Sequence, residues 1–64
     1  MENNYIKLDS FLKLKNLVQS GGEAKLFIQQ GEVFVNGEIE YRRGKKLVNG
    51  DKVEFNGETF IVGE

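Results

Sequence analysis

Residues 20–37 read SGGEAKLFIQQGEVFVNG, and a change of period inside this stretch decides the fold. In its first half Ala24, Phe27 and Ile28 recur at i, i+3, i+4, the spacing of one helical face. Ser20 and Glu23 stand three apart just ahead of that face, which predicts a capping box. In that arrangement the Ser20 hydroxyl accepts from the third helical amide and the Glu23 carboxylate accepts from the Ser20 amide. Gly31 is placed to end the helix in a left-handed conformation. Beyond it the period falls to two. Val33 and Val35 alternate with Phe34 and run into Asn36-Gly37, the dipeptide that most readily supplies the two positive φ angles of a two-residue hairpin turn. A helix that feeds directly into a hairpin reads as α+β.

Working outward, residues 9–19 extend the helical part toward the N-terminus. Asp9 is expected to cap a first short helix with Phe11, Leu12 and Leu14 on its buried face. Asn16 to Gln19 end that helix and turn the chain, with Leu17 and Val18 in the core, so the two helices form a hairpin. Tyr5 to Leu8 reads as a first strand. Toward the C-terminus, Asn-Gly recurs at Asn49-Gly50 and Asn56-Gly57, between short stretches rich in β-branched and aromatic residues. These signals predict strands at 33–35, 38–41, 52–55 and 58–62, with a basic loop at 42–46. The expected architecture is a helical hairpin packed on one small, mostly antiparallel sheet. With no linker, repeat or low-complexity segment, residues 1–64 read as a single domain.

Composition narrows the chemistry. A 64-residue chain buries only about 60% of its unfolded surface, so its stability margin is thin. It contains no Cys and no His, which removes disulfide staples, imidazole bases, Cys-His and Ser-His nucleophile pairs, and soft metal sites. Asp9, Asp51 and Glu54 read as cap, turn and strand residues, with nothing to pair them as an acid–base couple. Gly21-Gly22 lacks the spacing of a nucleotide-binding fingerprint. The expectation is therefore no catalytic residue, no metal, no cofactor and no small-molecule substrate. Apolar runs do not exceed three residues, too short to span a membrane, and the absence of Cys fits a reducing cytoplasm.

The net charge of -1 conceals an uneven distribution. Residues 1–40 carry -2, residues 41–52 carry +4 and residues 53–64 carry -3. A polyanion responds to the local field rather than to the total. The basic stretch centres on Arg42, Arg43, Lys45 and Lys46, with Gly44 free to turn the backbone so that the side chains converge. Arginine offers a bidentate fork to phosphate and lysine a point charge. Lys25 and Gln29 lie one turn apart on the exposed face of the second helix. Gly21 and Gly22, lacking β-carbons, would let a phosphate approach the open amides at the start of that helix. Lys13 and Lys15 border the surface, and Phe34 and Tyr41 alternate away from the core valines, leaving one of them to stack on a base or, as the plainer use, to pack against a helix. Each reading has a plainer counterpart. The basic run is also what a solvated loop looks like, Lys25 and Gln29 also read as ordinary surface, and Glu23 with the two glycines also reads as a tight turn that fills its own amides.

The helical hairpin followed by Gly31-Glu32-Val33-Phe34-Val35-Asn36-Gly37 and then Gly50-Asp51-Lys52-Val53 resembles the S-four RNA-binding domain, or alpha-L motif, over roughly residues 8–55. Lys7-Leu8-Asp9, Phe11-Leu12-Lys13-Leu14, Ser20-Gly21-Gly22-Glu23-Ala24-Lys25 and Glu40-Tyr41-Arg42-Arg43-Gly44-Lys45-Lys46 are similar to the stand-alone bacterial group called YaaA-like or YbcJ-like. The resemblance implies binding of structured RNA, ribosomal or transfer RNA, with a ribosomal subunit as a further implied partner. It implies contacts from Arg42, Arg43, Lys45, Lys46, Lys25, Gln29 and the Gly21-Gly22 backbone. Many members of the wider family carry two arginines where this chain has Gly21 and Gly22, which moves the expected phosphate contacts toward residues 42–46. The alternative is a protein-interaction module that docks the same basic loop on an acidic partner surface.

Overall fold

The computed structural model describes residues 4–63. The elements follow in the order β1 (Ile6–Lys7), α1 (Leu8–Leu14), α2 (Gly21–Gln29), β2 (Val33–Val35), β3 (Glu38–Ile39), β4 (Lys46–Leu47), β5 (Lys52–Phe55) and β6 (Glu58–Ile61). The strands form two antiparallel sheets rather than the expected one: a four-stranded sheet in the order β3-β2-β5-β6 and a two-stranded ribbon of β1 and β4. The sequence predicts Lys46 in the basic loop and no strand at residues 46–47. Leu47 draws them into the ribbon because it is fully buried, opposite Ile6.

Both helices end as the sequence implies. Asn16 takes a positive φ of 62°, the Leu17 amide donates to the Leu12 carbonyl (2.9 Å) and the Asn16 amide to that of Lys13 (3.0 Å). After α2, Gly31 has φ 79°, the Glu32 amide donates to Phe27 (3.2 Å) and the Gly31 amide to Ile28 (3.1 Å). Both are Schellman endings, and they satisfy carbonyls that the last helical turn leaves open. At the start of α2, Ser20 Oγ accepts the Glu23 amide (3.2 Å) as expected, but the Glu23 carboxylate reaches one residue further back, to the Gln19 amide (2.7 Å).

Three expectations fail for identifiable reasons. Asp9 does not cap α1. The N-cap is Lys7, which makes no side-chain cap bond, while Asp9 lies in the first turn and accepts the Ser10 amide (2.7 Å). The cap comes instead from the basic loop, as described below. Leu14 is 65% exposed, because α1 turns Leu8, Phe11 and Leu12 inward at i, i+3, i+4 and a residue two beyond Leu12 falls on the opposite side. Asn49-Gly50 is not a hairpin turn. Asn36-Gly37 and Asn56-Gly57 have both φ angles positive and close β2–β3 and β5–β6, whereas at the third pair only Gly50 (φ 96°) is positive. It closes a Val48–Asp51 turn (Asp51 N to Val48 O, 3.0 Å) that carries the chain from one sheet to the other.

The core joins all these parts. Phe11, Leu8 and Leu12 from α1 and Ile28 from α2 meet Val33, Val53 and Leu47 from both sheets, each no more than 2% exposed. Phe27 packs edge-on against Phe55, with ring centroids 5.3 Å apart. Leu17 is half-buried against this cluster and Val18 lies within it.

Candidate nucleic-acid interface

The basic loop is seated by its backbone. The Leu8 amide donates to the Lys45 carbonyl (2.9 Å) and the Asp9 amide to the Arg43 carbonyl (3.0 Å). An α-helix leaves its first amides without internal partners, and here two of them are met by carbonyls of residues 43–45. The loop thereby continues the β1–β4 ladder and caps α1 at once. A further bond from the Lys45 amide to the Arg42 carbonyl (3.2 Å) tightens the turn around Gly44. With the backbone so engaged, the side chains remain on the outside: Arg42, Arg43 and Lys46 are exposed and Lys45 is half-buried. Arg42, Gly44, Lys45 and Lys46 line one shallow, open concavity.

The four cations are not equivalent. Arg42 donates from Nε to Glu40 Oε2 (2.9 Å), and a second guanidinium nitrogen lies 3.4 Å from Oε1. The Glu40 carboxylate also accepts the Arg42 amide (3.0 Å). β3 ends at Ile39 rather than running to residue 41, with a last bond from the Glu40 amide to the Val33 carbonyl of β2 (3.0 Å). The hydrogen bond from the Arg42 side chain is the main reason that the Glu40 carboxyl is held below its ordinary range, and the same bond raises Arg42. The Lys46 ammonium lies 5.0 Å over the Tyr5 ring, a cation–π arrangement that steadies a long side chain. Among the described residues Arg43, Lys45 and Lys46 make no direct ion pair with a carboxylate, although Lys45 is near enough to Glu40 and Asp51 to help lower both carboxyls.

The structure does not gather the remaining candidates into that concavity. Lys25 and Gln29 are exposed on α2. The end of that helix approaches the basic segment through Tyr41, which is 60% exposed and lies close over Gly31. A β-carbon built on Gly31 would lie 3.5 Å from the Tyr41 hydroxyl. Gly21 and Gly22 occupy the far end of α2, about 12 Å from Gln29 at 1.5 Å per residue. Neither amide is taken by Ser20 or Glu23. No positive φ requires glycine at either position. A β-carbon at Gly21 would meet nothing within 4 Å, and one at Gly22 only the Ser20 hydroxyl at 3.9 Å. Phe34 is half-buried, and Lys15 lies 5.7 Å over the Phe11 ring.

Behind this surface, Asp51 joins three segments. Its carboxylate accepts the Val48 amide (2.9 Å) and the Asn36 side-chain amide (3.1 Å), and Asn36 in turn accepts the Lys52 amide (3.0 Å). The Val48 bond, then the Asn36 bond, hold the Asp51 carboxyl below its ordinary range. The turn-residue reading of Asp51 and Asn36 therefore holds. Two cations, Lys7 and Lys52, lay outside the sequence-based candidates. Lys7 stands directly opposite Lys46 in the β1–β4 pair, a placement that only the strand register reveals. Among the described residues no three carboxylates cluster to hold a metal ion and no helix is long and apolar enough to cross a membrane.

A family model described as the S4 domain matches residues 1–63. The "Probable ribosome maturation protein RlbA" of Bacillus subtilis (strain 168) is 49% identical over 57 residues, which cover 89% of this chain and 80% of that protein. The "Putative RNA-binding protein YbcJ" of Escherichia coli (strain K12) is 38% identical over 58 residues, covering 91% and 83% respectively.

Proposed function

Because the chain belongs to the S4 domain family, we propose that it is an RNA-binding protein that grips structured RNA, ribosomal or transfer RNA, by its phosphate backbone. It acts by binding rather than by catalysis, in the cytoplasm, with residues 1–64 as one binding unit and a ribosomal subunit as its place of work. The names of the two relatives, one a ribosome maturation protein and one an RNA-binding protein, support this reading. The observation that carries it is the seating of the 42–46 loop on the first amides of α1. That seat fixes the backbone under Arg42, Arg43, Lys45 and Lys46 while Lys45 is half-buried and the other three side chains are exposed, so a cationic surface is set in advance of binding. Lys25 and Gln29 extend the surface along α2, and the open amides of Gly21 and Gly22 accept a further phosphate at its far end.

Such an interface reads shape and charge rather than sequence. Each phosphate neutralised on a duplex contributes about -0.9 to the slope of log affinity against log salt, so four contacts predict a slope of roughly -4. Replacing Arg42, Arg43, Lys45 and Lys46 together by Ala is expected to lower the affinity for a structured RNA and to flatten that slope. The backbone bonds to α1 remain, so the helix content in circular dichroism is unchanged. An unaltered affinity and slope would refute the assignment. Capture of partners from lysate with and without ribonuclease separates RNA binding from docking on an acidic protein, since only the latter survives digestion.

A further inference from the structure

Lys7 and Lys46 face each other across the β1–β4 ribbon. Residues directly opposite in an antiparallel pair project from the same face with β-carbons about 4.5–5.5 Å apart, and like charges there oppose pairing. Among the paired strand positions of the described residues, this is the sole place where two charged side chains stand opposite one another. The register cannot slip to separate them. The opposite face of the ribbon carries Ile6 and Leu47, and a one-residue shift would turn the fully buried Leu47 out to solvent. Both lysines are exposed, and neither has an ion-pair partner among the described residues. The ring of Tyr5, two residues before Lys7, holds the Lys46 ammonium on this face. The Leu8–Lys45 and Asp9–Arg43 bonds then continue the ribbon into the loop, so the lysine pair lies at the edge of the cationic surface.

We propose that Lys7 and Lys46 form a two-ammonium clamp for a single phosphate of a polyanion backbone, which extends the binding surface onto β1. The proposal rests on the RNA-binding reading for the source of that phosphate. An anion between the two ammonium groups turns their repulsion into two charge-assisted hydrogen-bonding contacts. The free protein thus carries an unfavourable pair that binding relieves.

The test uses the Lys7→Gln and Lys46→Gln variants, singly and together. A short fluorescent RNA stem–loop is titrated at several salt concentrations, and thermal melts are recorded on the free proteins. Lys7 makes no side-chain cap bond, so Lys7→Gln is expected to melt at or above the wild-type temperature. The same substitution should weaken RNA binding and flatten the salt slope. The slope lost by the double variant should not exceed about 0.9, because both lysines serve one phosphate. If Lys7→Gln leaves affinity and slope unchanged while the quadruple alanine variant loses binding, the clamp is wrong and the RNA reading stands. If the wild type ignores the stem–loop, the RNA reading is wrong. The clamp is then decided by a nuclear magnetic resonance titration with polyphosphate, where joint shifts of Lys7 and Lys46 support it and their absence overturns it.

Discussion

The Glu40 carboxylate restrains the cation that the sequence places first in the basic cluster, and it does so with both oxygens. Glu40→Gln keeps an acceptor for the Arg42 amide and removes the opposing charge. The expected result is tighter RNA binding, because Arg42 no longer breaks an ion pair to meet its phosphate, measured by anisotropy across a salt series. Acid should reproduce this release only late. The Glu40 carboxyl titrates below its ordinary value near 4.5, so the pair persists above that pH and is lost only as pH falls through the depressed value. Gly21 belongs to the same scale. It lies in helical backbone with open space where a β-carbon would go, so Gly21→Ala should stabilise the fold by about 0.4–1 kcal/mol in urea unfolding. If its amide receives a phosphate, the same change should reduce RNA affinity, and the two effects then have opposite signs.

At the scale of elements, the Val48–Asp51 turn transmits order between the two sheets, because the Asp51 carboxylate holds both the turn's own first amide and the Asn36 side chain of the β2–β3 hairpin. Asp51 contributes stability that is present above the ordinary carboxylate value near 3.8 and is lost as pH falls through the lowered value of the folded state. The urea midpoint of the wild type should therefore decline in acid more steeply than that of Asp51→Asn, as followed by circular dichroism at a series of pH values. Elements whose signals are local were legible in the sequence: Ser20 and Gly31 bracket α2, and Asn36-Gly37 and Asn56-Gly57 make their hairpins. Elements defined by a distant partner were not. Lys46–Leu47 is too short to show any period, and the cap of α1 comes from carbonyls far along the chain. Asn49-Gly50 carried the same local signal as the other two pairs, but its flanking strands belong to different sheets.

At the scale of the molecule, the described residues share a single core cluster that takes Leu8, Phe11 and Leu12 from one seven-residue helix. A domain of this length has about 3–10 kcal/mol of folding free energy, and Leu12→Ala removes about 2–5 kcal/mol of it by opening a cavity. That variant should lose most of its cooperative melting transition by circular dichroism. The candidate site divides in the same way as the fold. The identity of Arg42, Arg43, Lys45 and Lys46 could be read from charge order along the chain. The pairing of Arg42 with Glu40 and the position of Lys7 depend on how β3 ends and how β1 meets β4. The separation of Gly21 and Gly22 from the loop follows from the length of α2.

The bonds from Arg43 and Lys45 to the start of α1 involve backbone carbonyls, which every amino acid possesses. Descendants of this protein can therefore exchange the side chains of that segment, and with them the choice of target, while the helix beneath keeps its cap. An insertion or deletion there would uncap the helix as well as alter the grip. Selection on such a lineage would tolerate changes of letter and resist changes of length.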